Sequence, residues 1–281
     1  MRSLRTLITA SAIATTLGSL SMGCLDTGDS LDESYEVPGL SALTGGNGSE
    51  PPNGLQPVLF NAYMAQLLAA TGHAVADPSF PARISNEVSA TGLLSTAEGR
   101  RVFKYAVRCA LPVGTSVMTA DEEVFEGEGL MTTTHAWTDG ALSTSQQEDL
   151  FTCLLTLLNP SATEVRVWIS GPNVKVTGVA PARIDKDEAV WLATVGAGGQ
   201  LTFNIWPGAD LSLACGATID EHLTTRICND PDGGCGLVIR DDFATARTGT
   251  DSSFTCDGKP AIKTALGAPE LALRHPECDA L

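Results

Sequence analysis

The sequence lacks the short motifs that mark the commonest catalytic and metal sites. It contains no C-x-x-C pair, no G-x-S-x-G, no H-E-x-x-H, no Walker loop and no dinucleotide-binding fingerprint. The four histidines, at positions 73, 135, 222 and 275, are scattered without the spacing of metal ligands. We therefore predict no metal, no cofactor and no catalytic residue, and we favour a protein that is not an enzyme.

Basic residues are also scarce. The chain has 17 Lys and Arg against 33 Asp and Glu, which gives a formal net charge of −16. A surface this acidic repels nucleic-acid phosphates and anionic lipid headgroups. The charge balance predicts that nucleic acid is not a partner.

Long apolar runs are missing after the N-terminus. Residues 1–23 have the organisation of a signal peptide, with a basic start at Met1–Arg5 and an apolar run over Thr6–Leu20. This run is too short to span a bilayer comfortably, and no later run is long enough to do so. The pattern predicts export from the cytoplasm.

The end of this segment also predicts a lipid anchor. A small residue, Gly23, directly before Cys24 resembles a bacterial lipobox, although Ser21 departs from the pattern because leucine is usual three residues before the cysteine. We predict lipidation of Cys24, a membrane partner reached through that anchor, and a position in the cell envelope at the outer membrane. Ser21 and Gly23 also suit ordinary signal peptidase, and the alternative is a secreted protein.

Residues 24–55 are predicted to be a disordered linker behind the anchor. They contain Gly, Ser, Pro and Asn throughout, several acidic residues and no Lys or Arg. Such a composition cannot bury enough apolar surface to fold by itself.

Two apolar-periodic stretches, each with one cysteine, organise the next part of the chain. In Arg100–Pro112, apolar residues recur at helical spacing, and a Ser/Thr-x-x-Glu/Gln pattern from Ser143 precedes a second helix over Leu150–Asn159. We predict a disulfide between Cys109 and Cys153 that staples the two helices. The basic residues of the first helix should face an acidic segment within Ser116–Leu130, which is either a hairpin or an extended segment.

The fold class follows from the order of these patterns. A helix is predicted over Val58–Thr71 and a loop over Val75–Ser95, so residues 56–160 are mainly helical. Residues 161–281 contain short β-branched runs separated by turn residues, which predict a β-rich region. We predict an α+β fold, with N-terminal helices packed on a C-terminal antiparallel sheet, and residues 56–281 can form one domain. The predicted strands are Glu164–Ser170, Ala189–Val195, Leu201–Trp206, Leu211–Cys215 and Gly236–Arg240.

The remaining cysteines are expected to form disulfides, since the protein is predicted to be exported. Cys228 and Cys235 flank a short Asp/Gly turn and are the favoured local pair. Cys215–Cys256 is the next pairing. With Cys24 lipidated, an odd number of cysteines remains, and Cys278 is predicted to be the unpaired one.

Two tryptophans are the only candidates for a ligand site. Alternation along the predicted strands places Trp168 and Trp206 on the faces opposite the apolar residues. Exposed there, they would form a stacking platform for a saccharide or a peptide partner. The alternative is that a second layer of the fold covers them.

The segment RVFKYAVRCALPVG, then FTCLLTLLN, then a strand-rich tail with cysteines resembles an uncharacterised family of exported lipoproteins from myxobacteria and relatives. The resemblance implies an envelope location and no activity. We therefore favour an exported envelope lipoprotein with a non-catalytic binding or structural role. The alternative is a hydrolase of envelope or extracellular polymer that uses paired carboxylates, with Asp220, Glu221, Asp241 and Asp242 as the candidate acids.

Overall fold

The fold is α+β, as predicted. The computed structural model describes residues 25–26, 47–48, 52–160, 165–229, 234–240, 254–256 and 258–278. The signal segment 1–23 and Cys24 lie outside these residues. Among the helices of the described part, none is both long enough and apolar enough to cross a membrane.

Two of the longer helices begin where the sequence supplies capping groups. The hydroxyl of Thr96 accepts a hydrogen bond from the backbone N–H of Gly99, and Ser143 and Gln146 form the predicted capping box. The helices are α1 (Pro57–Thr71), α2 (Asn86–Ala90), α3 (Ala97–Ala110), α4 (Thr144–Thr156), α5 (Ala209–Cys215), α6 (Ile219–Cys228) and α7 (Ala268–Arg274). Three of them, α5 to α7, follow the first strands of the region predicted to be β-rich, so the order of helices before sheet holds only roughly.

The strands are mostly short. They are β1 (Leu25–Asp26), β2 (Asn47–Gly48), β3 (Pro52–Asn53), β4 (Ala76–Asp77), β5 (Phe80–Ile84), β6 (Ser116–Met118), β7 (Val124–Glu126), β8 (Val165–Arg166), β9 (Trp168–Ser170), β10 (Gly178–Val179), β11 (Lys186–Val195), β12 (Leu201–Pro207), β13 (Leu237–Ile239), β14 (Phe254–Cys256), β15 (Lys259–Pro260) and β16 (Ile262–Leu266). The largest sheet has the order β13-β12-β11-β16-β9. Its pairs are antiparallel except for the parallel pair β12 and β13.

Helix α4 packs against β11 at the centre of this sheet. Alternate residues of β11, Trp191 and Ala193 among them, face the helices, whereas Val190 and Leu192 face the other side. Pairing of β11 with β16 ends at Trp191. Beyond it, the N–H of Ala193 donates to the hydroxyl of Thr152 at 2.9 Å, so a side chain of α4 replaces the missing strand partner.

The hydrophobic core is shared by the two predicted regions. The ring of Phe60 on α1 lies 6.3 Å from Phe151 on α4 and 5.7 Å from Phe203 on β12. Asn53 and Leu55, at the end of the predicted linker, are completely buried. The folded part therefore begins before residue 56.

The basic face of α3 meets the acidic hairpin, as predicted. Strands β6 and β7 form that hairpin, and Arg100 Nη1 lies 2.8 Å from carboxylate oxygens of both Asp121 and Glu123. Arg108 Nε donates to Glu128 at 2.8 Å. The segment Val75–Ser95 is not a plain loop, because it contains β4, β5 and α2.

The disulfides confirm two predicted pairs and correct the third. Cys109–Cys153 joins α3 to α4, and Cys228–Cys235 closes a short loop. Cys215 bonds to Cys278, so the pairing with Cys256 and the unpaired state of Cys278 were wrong predictions. Cys256 is itself disulfide-bonded.

The wrong pairing follows from a wrong secondary structure. The apolar residues Leu211 and Leu213 alternate as in a strand, yet Ala209–Cys215 forms α5. In the helix, Leu211 and Cys215 are buried on one face and Leu213 is 75% exposed. The helix therefore directs Cys215 towards the end of the chain, where Cys278 follows α7.

Candidate functional site

The two tryptophans predicted to form a platform are buried. Trp168 is 5% and Trp206 is 2% exposed. They lie on the sheet face opposite the helices, as the alternation predicted, but that face is covered by neighbouring segments of the chain. Trp168 packs with Ala180, Ile184 and Ala265, and Trp206 with Val190, Leu192, Cys256 and Ala261. The platform prediction is therefore wrong.

The acidic residues proposed for a hydrolase do not come together in the described part of the chain. Asp220 and Glu221 are both exposed in the first turn of α6, where their charge suits the helix dipole. Asp241 and Asp242 lie outside the described residues.

A different pair of acids, Glu148 and Asp149, lines a surface cavity of about 480 Å³ at the start of α4. Both oxygens of Asp149 accept from Asn173 Nδ2, and Oδ2 also accepts from the hydroxyl of Thr133 at 2.6 Å. Burial raises the pKa of Asp149 above its usual range, against the effect of these hydrogen bonds, and the charge of Glu148 acts in the same direction as burial.

Glu148 is also held by the protein. Its Oε1 accepts a hydrogen bond from the N–H of Val195 at 3.0 Å and pairs with Lys259 Nζ. These contacts join α4 to the end of β11 and to β15. Both carboxylates of the cavity thus have structural partners.

The most unusual group of side chains is a buried ionic cluster, which we call the Glu188 cluster: Glu188, Arg226, Arg274 and His275. Glu188 Oε1 lies 2.8 Å from Arg274 Nε, 3.4 Å from Arg226 Nη1 and 2.8 Å from His275 Nε2. Glu188 and Arg274 are completely buried, and the other two are nearly so. The cluster joins strand β11 to helices α6 and α7.

The two arginines also hydrogen-bond to the end of α4 and to the segment directly after it. Arg274 Nη2 donates to the carbonyl of Thr156 at 2.8 Å, and Arg226 Nη2 donates to the carbonyl of Leu158 at 2.9 Å. The last carbonyls of a helix lack partners within the helix and carry partial negative charge. Both guanidinium groups therefore neutralise a carboxylate and satisfy a buried backbone carbonyl at once, and Arg274 completes the helix end.

The pKa values in the cluster follow from burial and from these charges. Burial alone would raise the pKa of Glu188, but the charges of Arg274 and Arg226 and the hydrogen bond from His275 outweigh it and hold the pKa well below its usual range. Burial, together with the charge of Arg226, lowers the pKa of His275 to about 3. At neutral pH the cluster holds an ionised Glu188 and a neutral His275.

A second histidine continues this chain of hydrogen bonds. His222 Nε2 lies 2.8 Å from His275 Nδ1, and the ring centroids are 5.1 Å apart. Burial, followed by the charge of Arg226, lowers the pKa of His222 as well. Two neutral imidazoles thus extend the Glu188 cluster towards the Cys215–Cys278 disulfide.

We expect acid to destabilise the protein through these two histidines. A histidine whose pKa is lower in the folded state binds its proton only on unfolding, so its contribution to stability is complete above about pH 6.5 and declines as the pH falls towards the folded pKa. Each histidine contributes up to about 1.4 kcal/mol per pH unit to this decline.

The measurement is the free energy of unfolding in urea at several values between pH 8 and pH 5. Below pH 6.5, His275→Gln should reduce the slope of the free energy of unfolding against pH by the contribution of about one proton. Above pH 6.5, the free energy of the variant should be as independent of pH as that of the wild type. Equal slopes for the wild type and His275→Gln would contradict the neutral state of buried His275.

Sequence reasoning missed the Glu188 cluster, although a signal was present. Arg226 lies between Leu223 and Ile227 on the buried stripe of α6, and Arg274 follows Leu271 by three residues on that of α7. A charged residue on an apolar stripe indicates a buried ion pair, because a buried charge without a partner is too costly. The partner of each arginine could not be read from the same pattern.

No family model, no curated protein and no solved structure matches this chain. The fold and the site define only a class of protein. It is an α+β domain with several disulfides and a buried ionic cluster. Two histidines connect this cluster to the Cys215–Cys278 disulfide.

Proposed function

We propose that this is an exported protein of the bacterial cell envelope with a binding or structural role. The observation that supports it best is the state of the cysteines: all seven in the described residues are disulfide-bonded. Disulfides persist in oxidising compartments outside the cytoplasm. The signal-peptide pattern of residues 1–23 and the resemblance to exported lipoproteins support the same location.

A non-catalytic role is supported by the way polar groups are used. The carboxylates of the cavity at α4 are hydrogen-bonded to Thr133, Asn173 and Val195, and the Glu188 cluster satisfies the end of α4. These groups stabilise contacts between elements. One observation favours the alternative, a hydrolase. Glu148 and Asp149 are neighbouring carboxylates at a cavity, and the pKa of Asp149 is raised.

Cys24 decides between an anchored and a secreted form. The resemblance and the residue Gly23 favour a lipid on its sulfur. The pairing of Leu25 with Thr255 places the residue after Cys24 opposite the residue before Cys256 and favours a disulfide instead. One sulfur cannot carry both, so the two forms exclude each other.

The test is the intact mass of the protein isolated from its host after alkylation of free thiols, without reduction. We expect a chain that starts at Cys24, found in the membrane fraction with a lipid increment or in the medium with no lipid and no alkylated thiol. Cys24→Ser provides the control, since it removes the lipid in the first case and exposes one alkylated thiol in the second. A cytoplasmic protein that retains residues 1–23 would overturn the proposal.

A further inference from the structure

The Cys215–Cys278 disulfide has an unusual neighbour. The two sulfurs and a ring nitrogen of His222 lie within 4.8 Å of one another. The side chain of His222 is only 8% exposed, and its Nδ1 has no hydrogen-bond partner. A buried polar atom without a partner is costly, and such an atom indicates an interaction that this state of the protein does not make.

The hydrogen bonds fix which nitrogen of His222 carries the lone pair. Glu188 can only accept, so His275 Nε2 donates to it and the Nδ1 of neutral His275 accepts. His222 Nε2 must then be the donor to His275 Nδ1. The Nδ1 of His222 is left without a proton, as a metal-binding imidazole nitrogen must be.

We propose that reduction of the Cys215–Cys278 disulfide creates a zinc site made of Cys215, Cys278 and His222. Two thiolates and one imidazole are a common donor set for tetrahedral Zn²⁺. Glu277 Oε2 lies 3.8 Å from His222 Nδ1, and its side chain is 76% exposed and free to supply the fourth ligand. The carboxylate of Glu188 orients the ligand histidine through His275, as outer partners of zinc-bound histidines do.

The chemistry balances with a dithiol as the reductant. The dithiol closes to a cyclic disulfide, the S–S bond between Cys215 and Cys278 breaks, and both sulfurs become thiols. Binding of Zn²⁺ then displaces one proton from each thiol. The bridge and the metal are thus alternative occupants of the same two sulfurs.

The site has room to change between the two states. Ligand atoms around zinc are about 3–4 Å apart, given bonds of about 2.0–2.3 Å. The two sulfurs and the nitrogen of His222 lie within 4.8 Å of one another, which is close to that spacing. Cys278 follows α7, and its backbone N–H donates to the carbonyl of His275 at 3.1 Å. Its sulfur can move away from that of Cys215 by rotation of the side chain about the Cα–Cβ bond.

The test uses the full mature protein, reduced with a dithiol that is then removed under anaerobic conditions. Cobalt(II), which takes the same geometry as zinc and absorbs visible light, is titrated in and then displaced with Zn²⁺. We expect one metal ion per chain with a thiolate-to-cobalt absorption band, and no binding before reduction. Cys215→Ser/Cys278→Ser should abolish binding, and His222→Gln should weaken it at least about tenfold. His73→Gln, which changes an exposed histidine elsewhere, should have no effect.

Cys215→Ser/Cys278→Ser is also the control for metal binding by the other reduced cysteines, because it retains all of them. Equal binding by reduced wild type and Cys215→Ser/Cys278→Ser would overturn the site. Should His222→Gln fail to fold, X-ray absorption of the zinc-loaded wild type decides the matter. A shell with two sulfurs at about 2.3 Å and a nitrogen at about 2.0–2.1 Å supports the site, and one with only sulfur or only oxygen overturns it.

Discussion

Glu188→Gln should lower the free energy of unfolding by about 3–5 kcal/mol, the usual cost of removing one partner from a buried ion pair. The variant has nearly the same volume, so no cavity contributes. It leaves the guanidinium groups of Arg226 and Arg274 buried, close to each other and without their counter-ion. Arg274 also binds the last carbonyl of α4 and Arg226 the carbonyl of Leu158 just after it, so their displacement would leave both carbonyls without these partners.

Urea denaturation at pH 7, followed by circular dichroism, measures this effect. Glu221→Gln is the matched control, because Glu221 is an exposed glutamate of α6 and its replacement should change stability by no more than about 0.5 kcal/mol. A loss of less than 1 kcal/mol for Glu188→Gln would contradict a cluster that is held by its central carboxylate.

Cys109→Ala/Cys153→Ala should lower the free energy of unfolding by roughly 4 kcal/mol in the chain-entropy model. The disulfide spans 44 residues and joins α3 to α4 within the core. Without it, the unfolded chain gains freedom that folding must remove again. Alanine is chosen because both sulfurs are completely buried and a serine hydroxyl would lack a partner there.

The Cys228–Cys235 disulfide offers a graded comparison. It spans only 7 residues, so Cys228→Ala/Cys235→Ala should cost roughly 2.5 kcal/mol by the same relation. Thermal or urea unfolding without reductant, on both double variants, gives the two losses side by side. If the short loop costs as much as the long one, loop closure is not the source of the stability.

Local patterns in the sequence were enough for several elements. The capping box at Ser143 and Gln146, the stripe of α3 and the hairpin of β6 and β7 depend on residues a few positions apart, and all three occur in the structure. The Cys109–Cys153 pair was also predictable, since two adjacent amphipathic helices with one cysteine each pack through the faces that carry them.

Predictions failed where one sequence pattern is compatible with more than one local structure. Leu211 and Leu213 suit a strand by their spacing, but α5 buries only the first of them. The faces of Trp168 and Trp206 were placed correctly, yet alternation along a strand cannot show which distant segment covers a face. Ala180 and Ile184 do so for Trp168, and Cys256 and Ala261 do so for Trp206, which changes an exposed platform into two small cores.

By itself, then, the sequence determined the fold class, the capping box at the start of α4 and two of the disulfides. These follow from local patterns, namely helical or strand periodicity and cysteines that lie on amphipathic helices or beside a tight turn. Only the tertiary structure decided that Cys215 meets Cys278, 63 residues later, and that Glu188 meets Arg226, Arg274 and His275. These contacts join elements far apart in the chain. A charged residue on an apolar stripe predicts that a partner of opposite charge exists. Which residue that partner is depends on how strand β11 and helices α6 and α7 pack together.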